Sequence, residues 1–100
     1  MSSFPMEVGR VVFSRAGRDQ GHYFVIVDVI DEDHVAIANG CLRKVDNPKK
    51  KKMKHLVARP EVIREIAQKH EKHEPLLDAD VRKALASAGY ADSLPPRKEG

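Results

Sequence analysis

The side chains of this chain best suited to chemistry are cations, and they are concentrated. Between Arg43 and Arg59 stand eight Lys or Arg residues against one acid, Asp46, a local net charge of +7. The remainder of the hundred residues carries a net −4, so the formal total of +3 hides one strongly basic segment. Its centre is Pro48-Lys49-Lys50-Lys51-Lys52-Met53-Lys54-His55. Charge at that density repels itself unless an anion sits on it, and a polyphosphate backbone meets that need. Lysines act as mobile point charges, whereas the forked guanidinium of an arginine fixes register. A second candidate is the turn Arg15-Ala16-Gly17-Arg18-Asp19-Gln20-Gly21. Its glycines permit positive φ, which lets backbone N–H groups converge on an oxyanion, and Arg15 and Arg18 add donors that match phosphate oxygens. The same residues also make an ordinary hairpin turn in which Asp19 pairs an arginine. Gln20 can reach a base edge or a ribose, or remain in water.

Other reactive types lead to weaker chemistry. Tyr23 is the better stacking candidate of the pair Tyr23-Phe24, because its hydroxyl favours a wet end, while core packing is open to both. His70 and His73 are three apart in a helical stretch, but two imidazoles without a cysteine or a third ligand make a poor metal site. They read as exposed helix residues. Cys41, the single cysteine, reads as a small strand residue beside a hairpin rather than a nucleophile. Asp28, Asp31, Glu32 and Asp33 crowd one turn without calcium-loop spacing. They are expected to make one end acidic and so to turn the basic side toward an anionic partner. No nucleophile–base arrangement, metal set or nucleotide loop is present as a motif, so neither an enzyme nor a cofactor is expected. The basic segment lacks the interleaved apolar residues of an amphipathic membrane anchor. No apolar run approaches the roughly 18 residues of a membrane span. Met1-Ser2-Ser3-Phe4-Pro5 does not read as a signal peptide, and a lone cysteine suits a reducing compartment. A cytoplasmic protein, monomeric when free, is the expectation.

The elements that must position these residues are short. Val8 to Ser14 reads as a first strand and Tyr23 to Ile30 as a buried second one. Asp31-Glu32-Asp33 is a polar turn, Val35 to Ala38 a third strand, and Asn39-Gly40 a tight hairpin dipeptide with Cys41-Leu42-Arg43 returning. The lysine run is expected to be a loop, since Pro48 lacks a donor and four like charges resist compaction. His55 to Ala58 closes the set. From Pro60 the pattern changes. Proline at a first helical position and Glu61 behind it suggest a helix with Val62, Ile63 and Ile66 on one face, ending near residues 69–73. Asp78 or Asp80 caps a second helix carrying Val81, Ala84, Leu85 and Ala88, with Gly89 as its stop. Five strands in about sixty residues can remove their exposed edges by closing a small barrel. The expected architecture is therefore mainly β, a five-stranded barrel over 1–59, a two-helix extension over 60–90 and a flexible tail over 91–100.

Two blocks carry a family resemblance. Residues Val12-Phe13-Ser14-Arg15-Ala16-Gly17-Arg18-Asp19-Gln20-Gly21-His22-Tyr23-Phe24-Val25-Ile26-Val27 resemble the KOW motif, a glycine-centred loop between two strands of an SH3-like barrel. The segment from Asn39 to Leu56 is similar to the following block of KOW-containing large-subunit ribosomal proteins of archaea and eukaryotes, and of small bacterial KOW-domain RNA-binding proteins. The resemblance covers residues 7–58. It implies non-catalytic binding of structured RNA, ribosomal RNA above all, by a ribosomal or ribosome-associated protein of translation. Carried over residue by residue, it points to Arg15, Arg18, Gln20, Arg43, Lys44, Lys49, Lys50, Lys51, Lys52, Lys54 and His55. The lysine segment would then order along an RNA groove on binding. KOW-type barrels also occur in transcription factors, where they contact proteins such as polymerase. On that alternative Ile63, Ile66, Val81 and Leu85 would dock a partner instead of covering the barrel.

Overall fold

The computed structural model describes residues 4–90; the tail expected over 91–100 lies outside them. Five antiparallel strands form one sheet: β1 (Arg10–Ser14), β2 (Tyr23–Val29), β3 (His34–Ala38), β4 (Lys49–Lys52) and β5 (Leu56–Val62), in the order β4-β3-β2-β1-β5. A 3₁₀ turn, Met53–His55, joins β4 to β5, and two helices follow, α1 (Arg64–Glu71) and α2 (Asp78–Ser87).

Strand alternation divides the apolar residues between two faces. On one face Val12, Phe24, Ile26, Val35, Ile37 and Leu56 form a buried cluster. On the other, Val11 and Val25 meet Ile66 of α1 and Val81, Ala84 and Leu85 of α2. The strand β2 is therefore buried on both sides over Phe24, Val25 and Ile26, which explains the apolar run at its centre, whereas Asp28 and Val29 at its end are exposed. The helices have 8 and 10 residues, too short to persist alone in water. Burying side chains such as Ile66, Val81 and Leu85 stabilises by roughly 1.5–3 kcal/mol each, enough to hold them on the sheet. It also removes these residues from any partner: Val81 and Leu85 are fully buried and Ile66 nearly so.

The sheet is strongly irregular at two places. Between Ile26 and Asp28 the β2–β3 register slips by one residue, a bulge that bends the strand. Between Arg10 and Val12, Val11 alone lies opposite Arg59, Pro60 and Glu61 of β5. The buried Arg10 guanidinium fills that second bulge. It donates to the carbonyls of Arg59 and Pro60 at 3.1 Å each and of Pro5 at 2.8 Å, and pairs with Glu7 at 2.7 Å.

Four expectations are corrected by the structure. The lysine run is strand β4, with Lys49, Lys50, Lys51 and Lys52 opposite Ile37, Ala36, Val35 and His34. β4 pairs only with β3 at the edge of the sheet, where the ammonium groups of Lys49, Lys50 and Lys52 stay solvated and a lysine row blocks further strand pairing. Cys41-Leu42-Arg43 is not a return strand but part of the loop between β3 and β4. Pro60 does not start a helix. It lies in β5, at an edge and in a bulge, where its missing N–H costs no ladder bond. The helical part accordingly begins at Arg64 rather than Pro60. His70 Nε2 and Asp28 Oδ1 are 3.1 Å apart, and His73 sits past the end of α1 with φ 57°, where Glu74 N–H reaches back to Lys69 carbonyl at 2.8 Å. That is a capping role, not a ligand pair.

Helix α2 seats on the loop after β3. Its Asp80 carboxylate accepts the Leu77 N–H at 3.0 Å and caps the helix, while Asp78 Oδ1 accepts the Val45 N–H at 2.8 Å and Arg82 donates to the Gly40 carbonyl at 2.7 Å. Gly40 has φ 80°, and a β-carbon there would stand 2.6 Å from the Asp78 carbonyl and 2.8 Å from Arg82 Cγ. Gly40→Ala should therefore lower stability by about 2 kcal/mol or more; urea unfolding measures it, and a loss under ~0.5 kcal/mol would mean the helix seat gives way freely. The β2–β3 turn is closed by Asp31 Oδ1, which accepts the N–H groups of Asp33 and His34 at 2.8 Å each and faces His34 Nδ1 at 2.9 Å. The His34 side-chain bond, then the Asp33 N–H, holds this carboxyl below the ordinary aspartate value. Because the folded value is depressed, the turn's stabilisation is present above the unperturbed pH of about 3.9 and fades as acid protonates the folded form. An NMR titration should place the Asp31 midpoint below that of a free aspartate, and Asp31→Asn should abolish that part of the acid dependence.

Candidate nucleic-acid interface

The turn over residues 15–21 and the lysine strand meet through one carboxylate. Asp19 is only 3% exposed. Its Oδ1 accepts from Arg43 Nε at 2.9 Å, and its Oδ2 lies 3.5 Å from Lys51 Nζ. The Lys51 ammonium, 7% exposed, also donates to the Ala16 carbonyl at 2.9 Å. The backbone N–H of Arg15 donates to the His55 carbonyl at 3.0 Å. Three separate segments, the turn, the loop after β3 and the β4 strand with its 3₁₀ turn, are thus tied at one point. Strand parity makes this possible: Lys51 shares the core-side face with its partner Val35 and must find a counter-charge there.

Gly17 is required where the amine passes. Its φ is 81°, and a β-carbon would lie 2.9 Å from Lys51 Nζ. Gly21, also at positive φ, has open space around it. The turn uses part of its own backbone donor set: Gln20 N–H bonds to Gly17 carbonyl, and Gly21 N–H to Ser14 carbonyl. The N–H groups of Gly17, Arg18 and Asp19 make no hydrogen bond among the described residues; Gly17 and Arg18 are exposed and can meet an anion, whereas Asp19 is buried.

Around the clamp the remaining expected residues separate by exposure. Arg15, Arg18, Gln20, Lys44, Lys49, Lys50, Lys52 and Lys54 are exposed, and the cations among them form no ion pair among the described residues. His55 is half-buried and contributes its carbonyl to Arg15. Arg43 is half-buried, its side chain 29% accessible, with Nε and one Nη turned to Asp19. Lys51 is the clear departure: it is a buried structural cation and not a contact residue. The alternative in which Asp19 pairs an arginine also holds, and it coexists with an exposed cationic surface. From sequence the acidic turn is expected at an end apart from the basic side; instead it adjoins that side. His34 pairs with Lys52 in register, and Met53 N–H donates to the Asp33 carbonyl at 2.7 Å, so Asp31-Glu32-Asp33 borders one end of β4. Sequence reasoning names Arg43 and Lys51 but misses their joint pairing with Asp19. Asp19 was the available signal, being the lone acid among the turn's arginines, but Lys51 could be distinguished from its neighbours only once the run was known to be a strand.

No known protein family's sequence model matches the chain. Among the described residues no group of three or more His, Cys, Asp or Glu is placed to hold a metal ion, and no helix is long and apolar enough to cross a membrane.

The clamp sets an energetic expectation. Asp19→Ala leaves a buried ammonium unpaired and should cost about 3 kcal/mol. Adding Lys51→Met, which keeps the apolar stem and removes the charge, should recover a large part of that loss in urea unfolding. A single variant as stable as the parent would mean the clamp does not hold the turn.

Proposed function

We propose that this protein is a non-catalytic binder of structured RNA, ribosomal RNA in particular, working as a ribosomal or ribosome-associated factor in translation. The observation that carries the reading is the convergence of the turn and the lysine strand. Their shared clamp neutralises Asp19 internally and leaves Arg15, Arg18, Lys44, Lys49, Lys50, Lys52 and Lys54 exposed and without an ion pair among the described residues, on the turn, the loop after β3, β4 and the 3₁₀ turn that the clamp ties together. Such a surface exchanges counterions for phosphates, which favours a polyanion over a protein of mixed charge. The KOW likeness of residues 12–27 and 39–56 supports the same reading. So does the topology: the order β4-β3-β2-β1-β5, a bulged and bent β2, and a 3₁₀ turn between β4 and β5 suit an SH3-like barrel. In this reading the free N–H groups of Gly17 and Arg18, with the Arg15 and Arg18 side chains, seat on phosphates, and the exposed lysines of β4 follow the backbone. β4 is ordered beforehand, so no disordered arm has to fold on binding and the associated entropy cost is small.

The test uses the full chain with Lys49, Lys50 and Lys52 changed to Gln, leaving Lys51 in place because its removal would disturb the fold. Affinity for ribosomal RNA should fall, and the slope of log affinity against log salt should flatten by roughly 0.7–0.9 for each phosphate no longer neutralised. Unchanged affinity and slope would exclude this surface as the interface. Association with a protein partner that survives nuclease treatment, with no RNA bound, would instead favour a protein-docking module.

A further inference from the structure

The interface has two sides, and β4 is the ridge between them. β4 pairs with β3 alone, so its other edge is open. Antiparallel partners share a face. Lys49 and Lys51 therefore project with Ile37 and Val35 toward the core side, where residues 15–21 lie against Lys51. Lys50 and Lys52 project with Ala36 and His34 to the opposite side. With Lys51 withdrawn into the clamp, exposed cations flank the ridge on two sides: Lys49 on the side where the turn that carries Arg15 and Arg18 lies, Lys50 and Lys52 on the other. Within the second row two strand residues span ~7 Å, comparable to one step of a sugar–phosphate backbone.

A single strand needs one such row and gains its affinity from aromatic platforms. This surface has no Phe or Tyr among the described residues, and its half-buried imidazoles are His34, held to Asp31 at 2.9 Å, and His55. The chain contains five aromatic residues. Phe24 is buried in the core and Phe4 lies against the Arg10 guanidinium. Phe13, Tyr23 and Tyr90 stack in sequence, with centroids 4.9 and 4.4 Å apart. The Tyr90 hydroxyl donates to Glu61 at 2.6 Å and accepts from Arg59 at 3.3 Å. Leu42, 44% exposed on the neighbouring loop, has no flat face on which a base can stack.

We infer that the β4 edge enters the wide, shallow groove of an A-form RNA duplex and that its two cation rows contact the two phosphate strands. The ligand class is then base-paired RNA, read by shape and backbone and not by sequence. The acidic turn beside Lys52 closes one end of the ridge, so the duplex runs on past Lys49 toward Arg43 and Lys44. This rests on the RNA-binding reading above and narrows it.

The experiment compares three probes at several salt concentrations: an RNA hairpin of about 16 base pairs, an unpaired RNA of equal length, and the DNA hairpin of the same sequence. The RNA hairpin should bind about tenfold or more tighter than either other probe, since charge alone would not separate them so far. Two double variants, Lys50→Gln with Lys52→Gln and Lys49→Gln with Arg18→Gln, should each weaken hairpin binding and each lower the salt slope by up to about two. Circular dichroism and urea unfolding establish that both variants fold, and Leu42→Ala serves as a third variant expected to bind as the parent does. Unpaired RNA or DNA binding as tightly as the RNA hairpin would overturn the duplex inference while leaving polyanion binding intact. Weakened binding confined to one double variant would overturn the two-row geometry. No binding to any probe at low salt would remove the RNA reading itself, and the inference with it.

Discussion

A carboxylate shared between a buried lysine and a half-buried arginine holds the basic part of this molecule together. Asp19 lies on the turn between β1 and β2, Arg43 on the loop between β3 and β4, and Lys51 within β4. Removing an ammonium group from water is costly without a partner in good geometry. Lys51 has two, the Asp19 carboxylate and the Ala16 carbonyl. The consequence is positional. Three segments distant in sequence are fixed side by side, and a turn that would otherwise be free to move becomes the wall of a cationic surface. Because Asp19 is satisfied internally, it does not cancel the charge of the exposed arginines beside it.

The helices act on the same region from behind. Val11 and Val25 give the sheet an apolar back face, and Ile66, Val81 and Leu85 cover it. The bonds of α2 with the loop after β3, through Asp78, Arg82 and Gly40, continue that packing to the residues that lead into Arg43. The helical segment is therefore not an independent appendage. It completes the core of a sheet buried on both faces and steadies the loop that supplies one arm of the clamp. The buried Arg10 has a comparable role at the other end, where its guanidinium satisfies carbonyls exposed by the β5 bulge.

Much of this was legible in the residues. β1, β2 and β3 declare themselves through β-branched and aromatic runs bounded by glycine and acidic turns, and α2 through its spacing of three and four and its flanking Asp and Gly. The basic surface was legible as composition. Two local rules misled. Four consecutive lysines resist compaction in isolation, yet at a sheet edge three of their charges stay in water and the fourth is met by Asp19 while the backbone pairs with β3. Pro60 suits a helix start, yet it suits an edge bulge equally well, and the bulge was set by Arg10, fifty residues earlier.

By itself the chain determined where charge and apolar residues fall, because those are properties of side chains and their spacing. It thereby determined a mainly β architecture with two terminal helices and a segment in want of an anion. Only the tertiary structure decided which lysine serves the fold and which serve the surface. Lys49, Lys50, Lys51 and Lys52 are chemically identical; the pairing register with β3 puts Lys49 and Lys51 on the core-side face, and of these Lys51 lies against the Asp19 turn and is drawn inward, while the others stay in water. That register depends on the burial of Val35 and Ile37 in a core assembled from distant strands, a constraint that no local pattern in the lysine run contains.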